Sequence, residues 1–226
     1  MNAAESRTTS ADATSFLWKT FAWMAVGLGI TGLVAYFIGM SPTAVQYIAM
    51  NRGIVIGLMV AQVGLVLAFS FLAHKVNEAT AAAMFLGYAF MVGLTFSTLF
   101  LAYTAASISQ MFLITAGAYG GLAFVGATTK RDLGPVGHFA TMGLWGVIIA
   151  SVVGFFWHSS ALQFMISCAG VVVFAGLTAF DTQKLKRMYM ERGAAGNLAL
   201  RGALTLYLDF INLVLFMLRL FGTRRD

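Results

Sequence analysis

The sequence predicts an all-α integral membrane protein with seven transmembrane helices in one bundle. Of the 226 residues, 60% are hydrophobic and only 10% are charged, whereas roughly 25% charged residues are typical of a soluble domain. Seven apolar runs are close to the ~20 residues that a helix needs to cross the hydrocarbon core. The 24 glycines and only 2 prolines suit close helix packing in lipid. The lipid bilayer is therefore the first expected partner.

The first four runs contain no charged residue and are separated by polar or charged connections. Because connections such as Tyr103 to Ser107 are short, neighbouring helices are expected to run antiparallel. Residues 1–20 are expected to form a polar cytoplasmic tail, and residues 21–226 a single membrane domain. The first four predicted spans are Phe21 to Met40, Gly53 to Ala73, Ala81 to Ala102 and Ile108 to Thr128.

The last three runs differ because polar residues begin, end or interrupt them. The fifth, His138 to Phe156, begins at a histidine. The sixth, Ala161 to Phe180, ends directly before Asp181, and the seventh, Gly202 to Leu220, contains Asp209. An ionised carboxylate in or beside hydrocarbon costs a few kcal/mol unless something compensates it. These two aspartates are therefore the candidate functional residues.

The distribution of basic residues predicts the orientation in the membrane. The net charge of +6 would suggest nucleic acid as a partner of a soluble protein, but here the basic residues lie in the connections, so no nucleic acid is expected. Ten of the 14 Lys and Arg residues lie on the side of the N-terminus, which the positive-inside rule places in the cytoplasm. The C-terminal arginines would then lie on the opposite side. The last helix is thus expected either to cross fully or to return as a re-entrant segment.

Asp181 and Asp209 are predicted to approach one another near the cytoplasmic side. Asp209 lies eight residues after Arg201, which is about 12 Å along a helix. The basic segment "KLKR" after Asp181 can extend towards the interface and let that residue sink. The alternative is that Asp181 caps the end of its helix in water.

A close pair of carboxylates in a low dielectric cannot ionise fully at low cost. Such a pair tends to share one proton and to titrate as a unit. With that proton the pair forms a hydrogen bond between two helices. Without it, the pair repels, or it recruits a cation or a basic side chain. The two aspartates are therefore predicted to form a pH-sensitive latch.

Four segments resemble the Bax inhibitor-1 family, also called the transmembrane Bax inhibitor motif family, in its bacterial branch. They are "GLTAFDTQKLKRMY", "ALRGALTLYLDFINLVLFMLRLFG", "LAHKVNEATAAAMFLGYAFMVGLTFS" and "GATTKRDLGPVGHFATMGLWG". The resemblance implies a bacterial inner membrane location and a fold in which six helices surround the C-terminal one. It also implies a calcium leak channel gated by a di-aspartyl pH sensor, with Asp181 and Asp209 at the matching positions. The family tends to have an arginine near the end of the second span, where this chain offers His74 and Lys75 as candidate salt-bridge partners.

Calcium is expected as a permeant ion bound transiently by the aspartate pair, with no tightly bound cofactor. Two carboxylates alone form a poor cage, since Ca²⁺ prefers six to eight oxygen ligands, and weak binding suits conduction better than storage. Further oxygens are expected from water or from four nearby side chains. These candidate auxiliary ligands are Thr182, Gln183, Tyr207 and Asn212.

Two other functions are alternatives to the channel. Intramembrane aspartic proteases also place two aspartates on their sixth and seventh helices, but they carry Gly-x-Gly-Asp at the second one. Here "LYL" precedes Asp209, so no enzyme is expected. The stronger alternative is a regulatory membrane protein, because some bacterial members of the family resemble modulators of a membrane-anchored AAA protease. The polar tail "MNAAESRTTSADATSF" suits binding of such a partner.

Overall fold

The computed structural model describes residues 10–157 and 159–225, and regular structure in these ranges is helical apart from one isolated bridge. Seven helical segments are long and apolar enough to cross a membrane, and the segment Glu78–Ala102 counts as one of them. The predicted all-α membrane fold is therefore confirmed. The helices are α1 (Ser10–Gly39), α2 (Pro42–Met50), α3 (Arg52–Leu72), α4 (Glu78–Ser97), α5 (Leu99–Ala102), α6 (Ala105–Thr128), α7 (Gly134–Phe156), α8 (Ser160–Arg192) and α9 (Leu198–Phe221).

Within the described residues, the first helix already includes Ser10, whereas the predicted span starts at Phe21. In the added turns Ala13, Phe16 and Thr20 are buried at helical spacing, and the ring of Phe16 stacks on Tyr189 of α8 with 4.5 Å between centroids. Most of the expected polar tail therefore packs as helix. Residues 1–9 lie outside the described ranges.

A short helix, α2, occupies the connection between the first two spans. Pro42 lies at its start, where the missing amide proton costs nothing, and the Ser41 side chain accepts a hydrogen bond from the Ala44 amide. The Asn51 side chain then accepts from the Ile54 amide at 3.2 Å and begins α3. The sequence expectation missed α2 because its nine residues are too few for a span.

The eighth helix is longer than the predicted sixth span. It continues through Asp181 to Arg192, and Gly193 ends it with a φ of 66°. A positive φ of this kind favours glycine, which has no Cβ to collide with the backbone. Because Asp181 lies inside α8, the alternative in which it caps the helix end is wrong.

The last helix, α9, is the most buried of the spanning helices. It packs against α1, α4, α6 and α8, whereas α3 lies mainly against α4 and α7 against α8. The arrangement of all six helices around α9 stays a prediction. With 24 residues in one continuous helix, α9 is about 36 Å long. This length is sufficient to cross the hydrocarbon core and favours a full crossing over a re-entrant segment.

The bundle has two ends, which are named here by the chain terminus that each carries. The N-terminal end carries the start of α1 and the connection from α8 to α9, where the Asn197 side chain donates to the carbonyls of Ala73 and Val76 at 2.7 and 2.9 Å. The C-terminal end carries the end of α9, where the Arg225 amide donates to the Ala102 carbonyl at 3.0 Å. The two ends carry different groups of charged side chains.

Candidate functional site

Asp181 and Asp209 lie on neighbouring helices, α8 and α9, which pack along one another. Their side chains are close enough to share a hydrogen bond. Asp209 is only 5% exposed, while Asp181 is partly buried. The two aspartates that stood out in the sequence are thus brought together.

The carboxyl of Asp209 is incompletely hydrogen-bonded. Its Oδ2 is buried and accepts no hydrogen bond within the described part of the chain. The neighbouring Asp181 is itself an acid, and a carboxyl group donates a hydrogen bond only while it is protonated. The contact is therefore a hydrogen bond when the pair keeps a proton, and a repulsive pair of charges when it does not.

A cavity of about 220 Å³ lies beside Asp181, between α3, α8 and α9 near the N-terminal end of the bundle. Asp181 lines it, whereas Asp209 does not. Val66 and Ser70 line it from α3, and Leu208 lines it from α9. Any ion or water that enters this cavity thus meets Asp181 before Asp209.

Two basic side chains, Lys184 and Arg201, line the same cavity as Asp181. The charge of Lys184 acts directly on Asp181, as expected for residues three positions apart on a helix. Sequence analysis did not assign either residue to the site. The three-residue spacing could have indicated Lys184, but the position of Arg201 depends on how α9 packs.

His74 and Lys75, the candidate salt-bridge partners, lie in the turn after α3. Both are exposed, and neither lines the cavity beside Asp181. The ion pairs found among described residues, Lys19–Glu78 and Arg187–Asp132, include neither of them. Their role as alternative partners of an aspartate stays a prediction.

Two candidate auxiliary ligands on α8 already take part in other hydrogen bonds. The hydroxyl of Thr182 is buried and donates to the Thr178 carbonyl at 2.8 Å. The Gln183 side chain holds the connection between α6 and α7: its amide donates to the Arg131 carbonyl at 2.8 Å, and its oxygen accepts from the Leu133 amide at 2.9 Å. Because each of these oxygens keeps a lone pair, the hydrogen bonds fix the positions of the two side chains without excluding contact with an ion.

The two candidates on α9 are also engaged. The Tyr207 hydroxyl is 2.6 Å from the Thr31 hydroxyl, and its ring packs edge-on against Phe85. The Asn212 amide donates to the Leu208 carbonyl at 2.8 Å. The described residues contain no group of three or more His, Cys, Asp or Glu side chains able to hold a metal ion. Within those residues, the two carboxyls thus form the whole acidic part of the site.

Sequence analysis missed Tyr119, which lies on α6 beside the aspartates. Its hydroxyl donates to the Leu206 carbonyl at 3.0 Å, three residues before Asp209 on α9. Its ring lies edge-on to Phe210 at 5.3 Å. A tyrosine in an apolar span resembles any other core aromatic residue, so no signal in the sequence identified it.

The opposite side of α8 is fixed to the connection between α6 and α7. Lys186 donates to the Ala127 carbonyl at 2.6 Å, and Arg187 donates to Asp132 at 2.9 Å. The hydrogen bond from Arg187 lowers the pKa of Asp132 below its ordinary value. Together with Gln183, these contacts hold α8 in place at the level of the aspartate pair.

A comparison with known proteins agrees with this architecture. A family model described as "Inhibitor of apoptosis-promoting Bax1" matches residues 13–226. The chain belongs to the Bax inhibitor-1 family. The resemblance in the four segments is thereby confirmed over nearly the whole chain.

Bacterial relatives of this Bax inhibitor-1 family protein match it along most of its length. An Escherichia coli protein named inner membrane protein YbhL is 43% identical over 216 residues, which cover 93% of this chain and 92% of the relative. A Borreliella burgdorferi protein is 42% identical over 215 residues, with 93% of each chain covered. A membrane protein of Streptococcus pyogenes is 33% identical over 211 residues, with 92% of each chain covered.

Proposed function

We propose that this membrane protein is a pH-sensitive calcium leak channel gated by Asp181 and Asp209. The contact between the two carboxyls on adjacent helices, with a buried oxygen of Asp209 left without a donor in the described chain, carries the proposal. Intramembrane acids are costly, and they are found mainly where ions or protons pass. Its membership of the Bax inhibitor-1 family supports the same function.

The protonation state of the pair sets the contact between α8 and α9. With a shared proton, the hydrogen bond joins the two helices, and the pair carries one negative charge instead of two to attract Ca²⁺. After the proton leaves, two negative charges repel each other in a low dielectric. A divalent cation that enters the cavity then relieves this repulsion, first at Asp181. Flux is therefore expected to fall as the pH is lowered.

Lys184 and Arg201 compete with calcium for the ionised Asp181. Both line the cavity, and a cationic side chain near a carboxylate stabilises its charged form. The two carboxyls supply at most four of the six to eight oxygens that Ca²⁺ prefers, and water in the cavity supplies the others. Binding is then weak enough for the ion to leave, as conduction requires.

We also propose that the chain lies in the bacterial inner membrane with its N-terminus in the cytoplasm. The N-terminal end of the bundle carries most of the basic residues, which favours the cytoplasmic side. The Escherichia coli relative is named an inner membrane protein. Labelling of an introduced cysteine at exposed Lys75 from each side of the membrane checks this orientation.

Calcium flux into proteoliposomes tests the channel. Asp209→Asn removes one charge and keeps the shape of the side chain, so we expect flux at neutral pH to fall about tenfold or more, a barrier change of about 1.4 kcal/mol. The dependence of flux on pH should also flatten. Asp132→Asn is the matched control, because that carboxyl is exposed and lies outside the aspartate pair.

Two outcomes would contradict the channel. One is a flux through Asp209→Asn with the size and pH dependence of the wild type. The other is an equal loss in Asp132→Asn, which would show that the pair has no special role. An unchanged leak would favour the alternative, a regulatory membrane protein that binds a membrane protease or another partner.

A further inference from the structure

The C-terminal end of the bundle holds a larger cavity, of about 580 Å³. It lies where α9 ends and α8 begins, and two arginines from separate segments line it. Arg219 comes from the last turn of α9, and Arg224 comes from the strand-like segment that follows. The other residues that line it are polar or aromatic: Tyr103, Ser159, Ser160, Gln163, Phe164 and Ser167.

The backbone around Arg224 is fixed by hydrogen bonds. Arg224 forms an antiparallel bridge with Tyr103, and the Thr223 amide donates to the Ser107 hydroxyl at 2.9 Å. These contacts tie the end of the chain to the start of α6. Arg224 therefore extends from a defined position.

The next arginine, Arg225, serves the fold in a different way. Its guanidinium donates to the Phe100 carbonyl at 2.8 Å, so it supports the turn around α5. Arg219 lies over the ring of Phe216, with 5.6 Å from its guanidinium carbon to the ring centroid. This contact orients the Arg219 side chain, and no hydrogen bond from its guanidinium to another described residue is found.

Among the described residues, the lining of the cavity carries no negative charge opposite these two positive charges. None of the described residues that line it is acidic. The ion pairs within the described chain, Lys19–Glu78 and Arg187–Asp132, both lie at the N-terminal end. The cavity thus combines two guanidinium groups with several neutral hydrogen-bonding side chains, a set of donors that suits an anion with several oxygens.

We propose that this cavity binds a phosphate group, carried either by an anionic lipid headgroup or by free phosphate. Guanidinium groups match phosphate oxygens in pairs of parallel hydrogen bonds, and the hydroxyls of Ser159 and Ser160 and the Gln163 amide can supply further donors. Helix ends lie near the headgroup level of a bilayer, where long arginine side chains extend to the interface. A volume of about 580 Å³ falls in the usual range of small-molecule sites.

Arg52 provides the matched comparison. It lies at the same end of the bundle, at the start of α3 and exposed, but it does not line the cavity. An arginine that only anchors a helix among headgroups should contribute to phosphate binding no more than Arg52 does. A site built for one phosphate should depend on Arg219 and Arg224 together. The inference does not rest on calcium conduction.

Native mass spectrometry and thermal unfolding of the purified full-length protein in detergent test the proposal. We expect phosphatidylglycerol to bind saturably at one site and to raise the unfolding temperature. The double variant Arg219→Gln/Arg224→Gln should weaken this binding about tenfold or more, while Arg52→Gln should bind as the wild type. Inorganic phosphate forms the second arm. Binding of both ligands indicates that the phosphate alone is recognised, and binding of phosphatidylglycerol alone indicates a lipid site.

A second variant guards against loss of folding in the arginine variants. Gln163→Glu places a carboxylate in the cavity and keeps both arginines. The Gln163 backbone carbonyl accepts from Ser167 at 2.8 Å and would be unchanged. We expect this variant to fold normally and to lose phosphate binding about as strongly as the double variant. Three results would overturn the proposal: no saturable binding of either ligand, wild-type binding in Gln163→Glu, or an equal loss in Arg52→Gln.

Discussion

Asp132 lies in the exposed connection between α6 and α7, whereas Asp209 lies within α9 in the interior of the bundle. Asp132 accepts hydrogen bonds from Arg187 at 2.9 Å and from the Gly134 amide at 3.1 Å. Asp209 is 5% exposed, and its Oδ2 has no donor in the described chain. The same side chain is thus well accommodated at the surface and poorly accommodated in the core.

This difference separates a structural carboxylate from the one that we propose to be functional. A buried polar atom without a partner costs about 1–3 kcal/mol, so Asp209 weakens the fold that contains it. Asp132 has the contacts expected of a residue that positions a loop. A contribution to stability accounts for the contacts of Asp132. For the buried position of Asp209, we favour a role in binding a proton or an ion.

The eighth helix links the two regions. One side of α8 presents Asp181 to Asp209, and another holds the connection that contains Asp132. On α6, Gly126 allows close contact with α8, because a Cβ at this position would collide with the Ala179 carbonyl oxygen. A change of charge in the aspartate pair should therefore alter the contact between α8 and α9 more than that between α8 and α6.

The largest expected effect on stability comes from Asp209→Asn. An amide can donate to Asp181 at any pH and carries no charge, so the free energy of unfolding should rise by about 1–3 kcal/mol. Thermal unfolding in detergent at neutral pH measures this change. A loss of stability would mean that the ionised carboxyl is well compensated in the fold, and the contrast with Asp132 would then fail. A gain in stability together with a loss of flux would separate damage to function from damage to folding.

A smaller effect is expected from Tyr119→Phe. The substitution removes the hydrogen bond from the buried hydroxyl to the Leu206 carbonyl, so unfolding should become easier by about 0.5–1.5 kcal/mol. Tyr47→Phe is a suitable control, because Tyr47 on α2 is 65% exposed. Equal stability of the Tyr119 variant and the wild type in chemical unfolding would show that this polar contact beside the aspartates contributes nothing to the fold.

The spans could be predicted from the sequence because hydropathy over about 20 residues is a local property. The helical turns of α1 before Phe21 could not be predicted from the sequence, since they are held by the packing of Phe16 on Tyr189. The end of α8 also could not be predicted, because charged residues there continue the helix beyond the apolar run. Local composition thus located each span but not the whole length of each helix.

For the candidate site, the sequence likewise predicted the acidic residues but not all of the cations around them. An acid within an apolar run is visible in the sequence, so Asp181 and Asp209 stood out. The cations beside them depend on the packing of α3, α8 and α9, and the cavity contains Lys184 and Arg201. The three-residue spacing from Asp181 could have indicated Lys184, but the position of Arg201 depends on tertiary packing and leaves no spacing pattern in the sequence.

The smallest expected effect comes from Asp132→Asn and has a defined pH dependence. Since the folded protein holds the pKa of Asp132 below its ordinary value, the group stabilises the fold above the pKa of the unfolded chain, near 4. This contribution is lost as the pH falls through the lower pKa of the folded state. Asp132→Asn should therefore unfold slightly more easily than the wild type at pH 7, and the difference should disappear in strong acid.

Because the ion pair is exposed, the difference should also shrink in high salt. Thermal unfolding across pH with and without salt measures both effects. A difference that persisted in acid would assign the stabilisation to the shape of the loop instead of to the charge on Asp132.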